Sequence, residues 1–289
     1  MKTVCHFLAG IAAAGSTFIA AAQTAAPDFK PPLDTSIPSG PKGLAIKEGK
    51  KLLTDTRRLL PNNVGNGLNC TNCHLDAGTS ANASPWVGIW GVFPEYRARS
   101  GKVISLIDRV NDCFERSMNG KPLAYNSAEM INILSYMQWL STAVPTGTSV
   151  KGRGFGPVDA RLVPNSANGK VIYAEKCASC HGPQGLGIKN ATGGYAMPPL
   201  WGKDSFNDGA GMARTYTAAA FVKYKLRWGK AAYSPTSKPL TCLSISPTSQ
   251  GQYLKAKQKT GRRATSQRMR AFNVDGHVRQ ATYGLTSKA

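Results

Sequence analysis

Apolar residues between Ser127 and Thr142 recur at the spacing of an α-helix. Five of them fall on one helical face, namely Met130, Ile133, Leu134, Met137 and Leu140. This stripe predicts a helix from 127 to 142 that packs its methionines in a hydrophobic core. Asn126 together with Glu129 fits the polar pattern of a helix N-terminus, so we expect a cap at that point.

The same order of elements occurs twice, about a hundred residues apart, which indicates an internal duplication. In each copy a short helical opening precedes a Cys-x-x-Cys-His frame, and a Gly-rich loop with a Pro/Trp/Gly signature follows it. The openings are 49–53 and 169–173, and the signatures are 85–91 and 198–202. We therefore predict an all-α fold class made of two copies of one domain.

This pattern divides the chain into six segments. They are 1–22 (signal peptide), 23–42 (extended lead-in), 43–144 (domain 1), 145–166 (Gly- and Pro-rich linker), 167–237 (domain 2) and 238–289 (basic tail). The tail is atypical because it lacks the amphipathic closing helix of the first copy. It leaves three interpretations open: a disordered basic tail, a docking arm for an acidic redox partner, or a reading-frame change in the gene.

The N-terminus is typical of an export signal. Lys2 precedes an Ala-rich apolar stretch that ends in small residues at 20–22, which predicts cleavage before Gln23. An uncleaved membrane anchor is the alternative for this weakly hydrophobic segment. No later apolar run reaches membrane-spanning length, so we expect no membrane span after cleavage and a periplasmic location.

Positive charge dominates the composition, with 36 Lys+Arg against 15 Asp+Glu and a formal net charge of +21. The excess is concentrated in residues 209–289, where Asp275 is the one acidic residue. An exported chain whose tail has few stacking aromatic residues does not fit nucleic-acid binding, so we expect no nucleic-acid partner. A cationic surface favours anionic substrates and an acidic redox partner instead.

The placement of cysteine and histidine indicates the chemistry. Cys5 leaves with the signal, and four of the other six cysteines lie in the two repeated frames. These frames are Cys70, Cys73 and His74 in domain 1, and Cys177, Cys180 and His181 in domain 2. In such a frame both thiols bind the vinyl groups of one haem, and the histidine binds its iron. Two matches outweigh a disulfide framework or a zinc site, so the sequence predicts two covalently attached haem c groups in tandem cytochrome c-like domains.

The distal ligand of the first haem distinguishes an electron carrier from an enzyme. Met118 would raise the reduction potential, whereas a Cys113 thiolate would lower it. Cys113 is equally well explained as a small buried core residue. Arg109 and Arg116 lie near it in sequence and would stabilise a thiolate, so the residues alone leave both interpretations open.

The run from Leu106 to Gly120, which includes Asn-Asp-Cys-Phe-Glu-Arg-Ser, and the run from Asp204 to Met212 resemble the dihaem thiosulfate dehydrogenases. The similarity covers residues from about 43 to 233. It implies His74/Cys113 ligation of an active-site haem and oxidation of two thiosulfates to tetrathionate with release of two electrons. The catalytic and substrate-side residues that it implies are Cys113, Arg99, Arg109 and Ser117.

The resemblance places the distal ligand of the second haem near Lys225 and Leu226. Leucine has no lone pair, which leaves Lys225 once deprotonated. A solvated surface cation is the alternative interpretation of Lys225, and Met197 and Met212 are fallback ligands.

These expectations combine into a periplasmic enzyme that passes electrons through its second haem to a redox partner, such as a small cytochrome or an iron–sulfur protein. The main alternative is a non-catalytic dihaem electron-transfer cytochrome. A third is a haem subunit that handles sulfur bound to a carrier protein.

Overall fold

A computed structural model describes residues 26–225 of the chain. The predicted signal peptide, the basic tail, Leu226 and the rest of predicted domain 2 after it lie outside these residues. Helices dominate the described range, as predicted, and two small antiparallel hairpins supply its strands. Between residues 26 and 225, no helix is both long and apolar enough to cross a membrane.

The described elements fall into two groups along the chain. The first contains α1 (Gly40–Thr54), α2 (Thr56–Leu59), α3 (Leu75–Gly78), the strands β1 (Glu95–Arg97) and β2 (Lys102–Ile104), α4 (Leu106–Arg116) and α5 (Ala128–Trp139). The second contains α6 (Ser166–Lys176), α7 (Ala178–His181), the strands β3 (Ile188–Lys189) and β4 (Tyr195–Met197), and α8 (Thr215–Lys225). Short 3-10 turns cover Asp34–Ser36, Cys70–Asn72, Trp90–Val92 and Gly211–Ala213.

The core of domain 1 lies where α1 crosses α5. Ile46 and Leu53 of α1 are almost completely buried, and Met130 and Ile133 of α5 have no exposed surface. Leu134 is partly buried against the same cluster. The apolar stripe of the predicted helix is thus confirmed as core packing.

The two ends of α5 differ slightly from the prediction. Ser127, not Asn126, caps the helix, because its hydroxyl oxygen accepts a hydrogen bond from the backbone N–H of Met130 at 3.1 Å. The helix ends at Trp139 rather than at Thr142. The Thr142 hydroxyl donates to the Trp139 carbonyl at 2.9 Å and so satisfies a carbonyl of the last helical turn.

The predicted linker lies along domain 1 as ordered chain. The backbone N–H groups of Asn82 and Ser84 donate to the carbonyls of Gly152 and Gly154, each at 2.7 Å. The linker therefore forms part of the wall of domain 1 instead of a free tether between the domains.

Domain 2 packs directly against the end of α4. The buried side chain of Asn66 donates to the carbonyl of Ser117 at 2.8 Å and to that of Ser205 at 3.0 Å. Nearby, the N–H of Gly67 donates to the carbonyl of Asp204 at 2.9 Å. These bonds hold a segment of domain 2 beside the residues that α4 carries.

The closest approach of α1 and α5 generates a stability prediction. A Cβ atom at Gly49 would lie 2.0 Å from the backbone oxygen of Asn132. In an unobstructed helix a Gly→Ala change stabilises by up to about 1 kcal/mol. Here we expect Gly49→Ala to destabilise the protein by about 1–3 kcal/mol, because the helices must move apart. Denaturant unfolding of the haem-loaded protein measures the change, and a gain in stability would contradict this packing.

Candidate haem cavities and active site

Domain 1 contains a cavity of about 570 Å³ between the first Cys-x-x-Cys-His frame, α4, the β1–β2 hairpin and the linker. Cys70, Cys73 and His74 all line it. Its apolar wall includes Leu53, Leu68, Trp86, Val110, Phe114, Met118 and Met137. This volume lies in the usual range for cofactor cavities, and the donor set is that of a covalently bound haem, so the residues present fit the predicted group.

Hydrogen bonds around the first frame position its histidine. The N–H of Cys70 donates to the buried hydroxyl of Thr56 at 3.2 Å, which fixes the start of the frame. His74 Nδ1 lies 2.5 Å from the carbonyl oxygen of Ser84, and the ring of Trp86 stacks on the imidazole with centroids 4.8 Å apart. A ring whose Nδ1 is held in this way directs Nε2 towards a metal.

The thiols of Cys70 and Cys73 are free and lie beside the cavity. Burial raises the pKa of each to about 12. Neither pairs with another cysteine, and no disulfide occurs between residues 26 and 225. This arrangement supports haem attachment rather than a disulfide framework.

The Cys113 thiol contacts the guanidinium of Arg109, with 2.8 Å between Sγ and Nη1. The two residues are one helical turn apart on α4, whose first turn is held by reciprocal hydrogen bonds between Ser105 and Asp108. Burial alone would raise the pKa of Cys113, but the charge of Arg109 and hydrogen bonds to His74 and Arg109 lower it to about 6. The guanidinium of Arg109 therefore favours the thiolate form of Cys113, which lies in the same cavity as His74.

The remaining candidate residues of the first haem site divide into two groups. Ser117 lines the cavity, as does Met118, of which only 2% is exposed. Arg99 lies at the surface outside the lining. Partial desolvation and the positive charges of Arg214 and Arg116 hold the pKa of Arg99 below its ordinary value.

Arg214 belongs to domain 2 and was not expected from the sequence. Partial desolvation and the charges of Arg109, Arg97 and Arg116 likewise lower its pKa. Domain 2 thus adds a cation to the arginine cluster of domain 1, which comprises Arg97, Arg99, Arg109 and Arg116. No local pattern around Arg214 indicates this position, because it depends on how the domains pack.

The sequence analysis also did not identify a cluster of one carboxylate and two arginines in the cavity. The half-buried Glu95 accepts a hydrogen bond from Arg97 at 2.7 Å and two from Arg153 at 3.0 Å. All three residues line the cavity. Desolvation opposes ionisation of Glu95, but its bonds to Arg153 and Arg97 hold its pKa below the usual value. Arg153 was assigned only to a linker, because its Gly-rich surroundings carry no binding motif.

The second frame repeats the geometry of the first. His181 Nδ1 lies 2.8 Å from the carbonyl oxygen of Pro198, as His74 does from that of Ser84. The Tyr173 hydroxyl donates to the carbonyl of Gly182 at 2.5 Å. Neither Cys177 nor Cys180 forms a disulfide. These residues fit the attachment of a second haem.

Lys225 ends the described part of the chain. Its ammonium donates to the Ser80 hydroxyl at 2.9 Å and so reaches the domain 1 loop that precedes Ser84. The structure thus gives Lys225 a partner in domain 1, and its role as distal ligand of the second haem stays a prediction.

Haem content provides a test of the two frames. The double substitution Cys177→Ala with Cys180→Ala removes both thioether positions of domain 2, so we expect intact mass to fall by one haem. Cys113→Ala should keep both haems, because that thiol lies in neither frame. Loss of both haems from the double variant through misfolding would show as loss of the domain 1 haem spectrum. A double variant that keeps two covalent haems would contradict the assignment.

Comparison with known proteins agrees with this geometry. A family model described as SoxA/TsdA, cytochrome c domain matches residues 62–146, and one described as cytochrome c matches residues 166–242. The prediction of an all-α protein with two tandem cytochrome c domains is confirmed. Two such domains carry two covalently bound c-type haems with iron.

Relatives share a single name. A thiosulfate dehydrogenase of Psychrobacter arcticus is 48% identical over 219 residues, which are 76% of this chain and 66% of that protein. A thiosulfate dehydrogenase of Allochromatium vinosum is 46% identical over 202 residues, which are 68% of this chain and 75% of that protein. The solved structure of thiosulfate dehydrogenase (TsdBA) from Marichromatium purpuratum aligns with a TM-score of 0.71 at 34% identity, covering 75% of this chain and 48% of that one. The aligned region is therefore about two thirds of the first relative and about half of the solved chain. The chain belongs to the thiosulfate dehydrogenase family.

Proposed function

We propose that this protein is a periplasmic dihaem enzyme that oxidises two thiosulfate ions to tetrathionate in the cavity of domain 1. The two haems supply one-electron acceptors for the two electrons that this reaction releases. The electrons then leave from domain 2 to a redox partner, such as a small cytochrome or an iron–sulfur protein. The names of the relatives, the predicted export signal and the net positive charge of the chain support this proposal.

The contact between Arg109 and Cys113 is the observation that carries the proposal. It stabilises a thiolate in the cavity that His74 lines, and a passive carrier does not need one. In the proposed site His74 and Cys113 would hold the iron of the first haem. Met118 lines the same cavity, and it is the observation that favours the non-catalytic alternative.

Charge explains why arginines surround this thiolate. Thiosulfate is a small dianion, and two of them repel each other when they approach. Arginine side chains neutralise and orient such anions through paired hydrogen bonds and replace the water that screens them in solution. We assign this role to Arg99 and Arg109, and we assign a hydrogen bond to the substrate to Ser117.

Cys113 provides a route for joining the two anions. Its thiolate forms a sulfur–sulfur bond with the outer sulfur of one thiosulfate, which releases two electrons and leaves a cysteinyl S-thiosulfate with one negative charge. The outer sulfur of the second thiosulfate then attacks that sulfur of the adduct. The bond to Cys113 breaks, tetrathionate leaves as a dianion, and the thiolate is restored.

Substitution of the two candidate ligands, Cys113 and Met118, distinguishes the proposed enzyme from the non-catalytic electron-transfer alternative. We expect Cys113→Ala to lower thiosulfate-dependent reduction of an artificial acceptor by about 10³-fold or more, because the nucleophile is lost. Met118→Leu, a change of similar volume in the same cavity, should keep most of the turnover. Both variants must keep two covalent haems. Full turnover in Cys113→Ala, with its loss in Met118→Leu, would exclude the proposed chemistry.

The proposed ligation by Lys225 requires its own test. A lysine binds iron only as the neutral amine, so ligation requires that Lys225 lose a proton and leave Ser80. We expect Lys225→Ala to change the electron paramagnetic resonance signal of the second haem. Lys223→Ala, on the same helix, is the matched control and should leave that signal unchanged. A wild-type signal in both variants would remove Lys225 from the ligand set.

A further inference from the structure

The linker brings a cation into the domain 1 cavity. Arg153 lines the cavity together with Ser149 and Gly152, although it lies between the two domains in sequence. Its side chain is 27% exposed, whereas the side chain of Lys151, two residues earlier, is 63% exposed. Two cations of the same short segment therefore have different surroundings: one faces the cavity and the other faces solvent.

The backbone on both sides of Arg153 is fixed. The carbonyls of Gly152 and Gly154 accept the hydrogen bonds from Asn82 and Ser84. Both glycines have positive φ, at 80° and 74°, which side chains rarely tolerate. A Cβ on Gly152 would also lie 2.8 Å from the Cβ of Ala81. The linker is thus built to hold residue 153 in one place.

Glu95 fixes the other end of the side chain. Both carboxylate oxygens accept from Arg153 Nη2 at 3.0 Å, and Arg153 Nη1 donates to the Ser149 hydroxyl at 3.1 Å. Arg97 approaches the same carboxylate from β1. Each guanidinium has five N–H donors, so these contacts leave donors of both arginines for an anion in the cavity.

The balance of charge in the cavity requires such donors. Arg109 is already engaged by Cys113, and Arg99 lies at the surface outside the cavity lining, so these two arginines do not neutralise two dianionic substrates alone. Arg97 and Arg153 share the single negative charge of Glu95, and the three residues together keep one positive charge. The carboxylate of Glu95 repels an anion in the cavity, and its hydrogen bonds to Arg97 and Arg153 offset that repulsion by orienting both cations.

We propose that Arg153 is a substrate-binding residue for the thiosulfate anions, and that Glu95 is a positioning residue that orients Arg153 and Arg97 towards them. This inference rests on the proposed function and deepens it. It adds to the site a residue from the interdomain linker and a carboxylate from β1. The active site of domain 1 is then complete only when the linker is paired with 82–84.

The test compares Arg153→Gln, Arg153→Lys and Lys151→Gln in the full haem-loaded protein. Lys151→Gln is the matched control, because it removes the same charge from the same linker at a residue paired with Asp28 in solvent. Steady-state kinetics give kcat and KM for thiosulfate. Competition by inorganic sulfate, a dianion that is not oxidised, gives an inhibition constant that reports anion binding.

For Arg153→Gln we expect KM and the sulfate inhibition constant to rise about tenfold or more, with a smaller change in kcat, because a charge-assisted hydrogen bond is lost. Arg153→Lys should restore part of the affinity through its charge but not the paired geometry. Lys151→Gln should stay within about twofold of wild type. Equal values for Arg153→Gln and Lys151→Gln would overturn the inference.

Glu95→Gln tests the positioning role, because the two possible roles of Glu95 predict opposite changes in the affinity for sulfate. If Glu95 acted only as a negative charge, its removal would strengthen sulfate binding. We expect weaker binding instead, because the neutral amide holds the two arginines less firmly. A lower inhibition constant for sulfate would overturn the role of Glu95, and Glu95→Asp, which keeps the charge, should bind sulfate better than Glu95→Gln.

Failure of the proposed function and failure of this inference are distinguishable. Absence of thiosulfate oxidation by the wild-type protein would remove the proposed function. Sulfate binding, followed by the shift of the haem absorption band on titration, still compares Arg153→Gln with Lys151→Gln in that case. Wild-type oxidation with no difference between those two variants would leave the function intact and remove Arg153 from the site.

Discussion

A single contact between a guanidinium and a thiol, Arg109 with Cys113, determines what the cavity of domain 1 can do. In an apolar cavity a cysteine stays protonated and behaves as a small hydrophobic residue. The adjacent positive charge opposes this preference and favours the thiolate, the form that the proposed roles of Cys113 as iron ligand and nucleophile require. Because the two residues are one turn apart on α4, the helix itself enforces the contact, and the capping bonds of Ser105 and Asp108 fix the helix where it begins. The rest of domain 1 holds this turn opposite His74.

Most parts of the molecule that depend on local sequence were predicted correctly, although the two ends of α5 were not. The Cys-x-x-Cys-His frame contains the two thiols and the imidazole that haem attachment requires. Their spacing leaves few other interpretations of the frame. The stripe of α5 follows from helical periodicity and became the core. The environment of Cys113 was also predictable from the sequence. Arg109 lies four residues away on the same helix, and this spacing brings the two side chains together.

The parts that depend on contacts between distant segments were not predictable. Glu95 and Arg153 are 58 residues apart in sequence. They meet because the linker is hydrogen-bonded to the loop of residues 82–84. A Gly-rich segment is typical of a flexible connector, yet here the glycines permit one fixed conformation. Arg214 reaches the cluster through domain packing. The cap of α5 was misassigned by one residue because Asn126 and Ser127 both suit the position, and only the backbone geometry selects between them.

The pairing of the linker with 82–84 has a consequence for how this duplicated protein can be divided. A fragment that stops where the first repeat ends would keep Cys70, Cys73, His74 and Cys113. It would nevertheless lose one side of the enclosed space around them, because Ser149 to Gly154 lie after the repeat boundary. Shuffling, truncating or fusing the two halves at the apparent junction would therefore remove residues that line the domain 1 cavity. The chain beyond that boundary also contacts the other half, since the ring of Phe155 packs edge-on against that of Phe221.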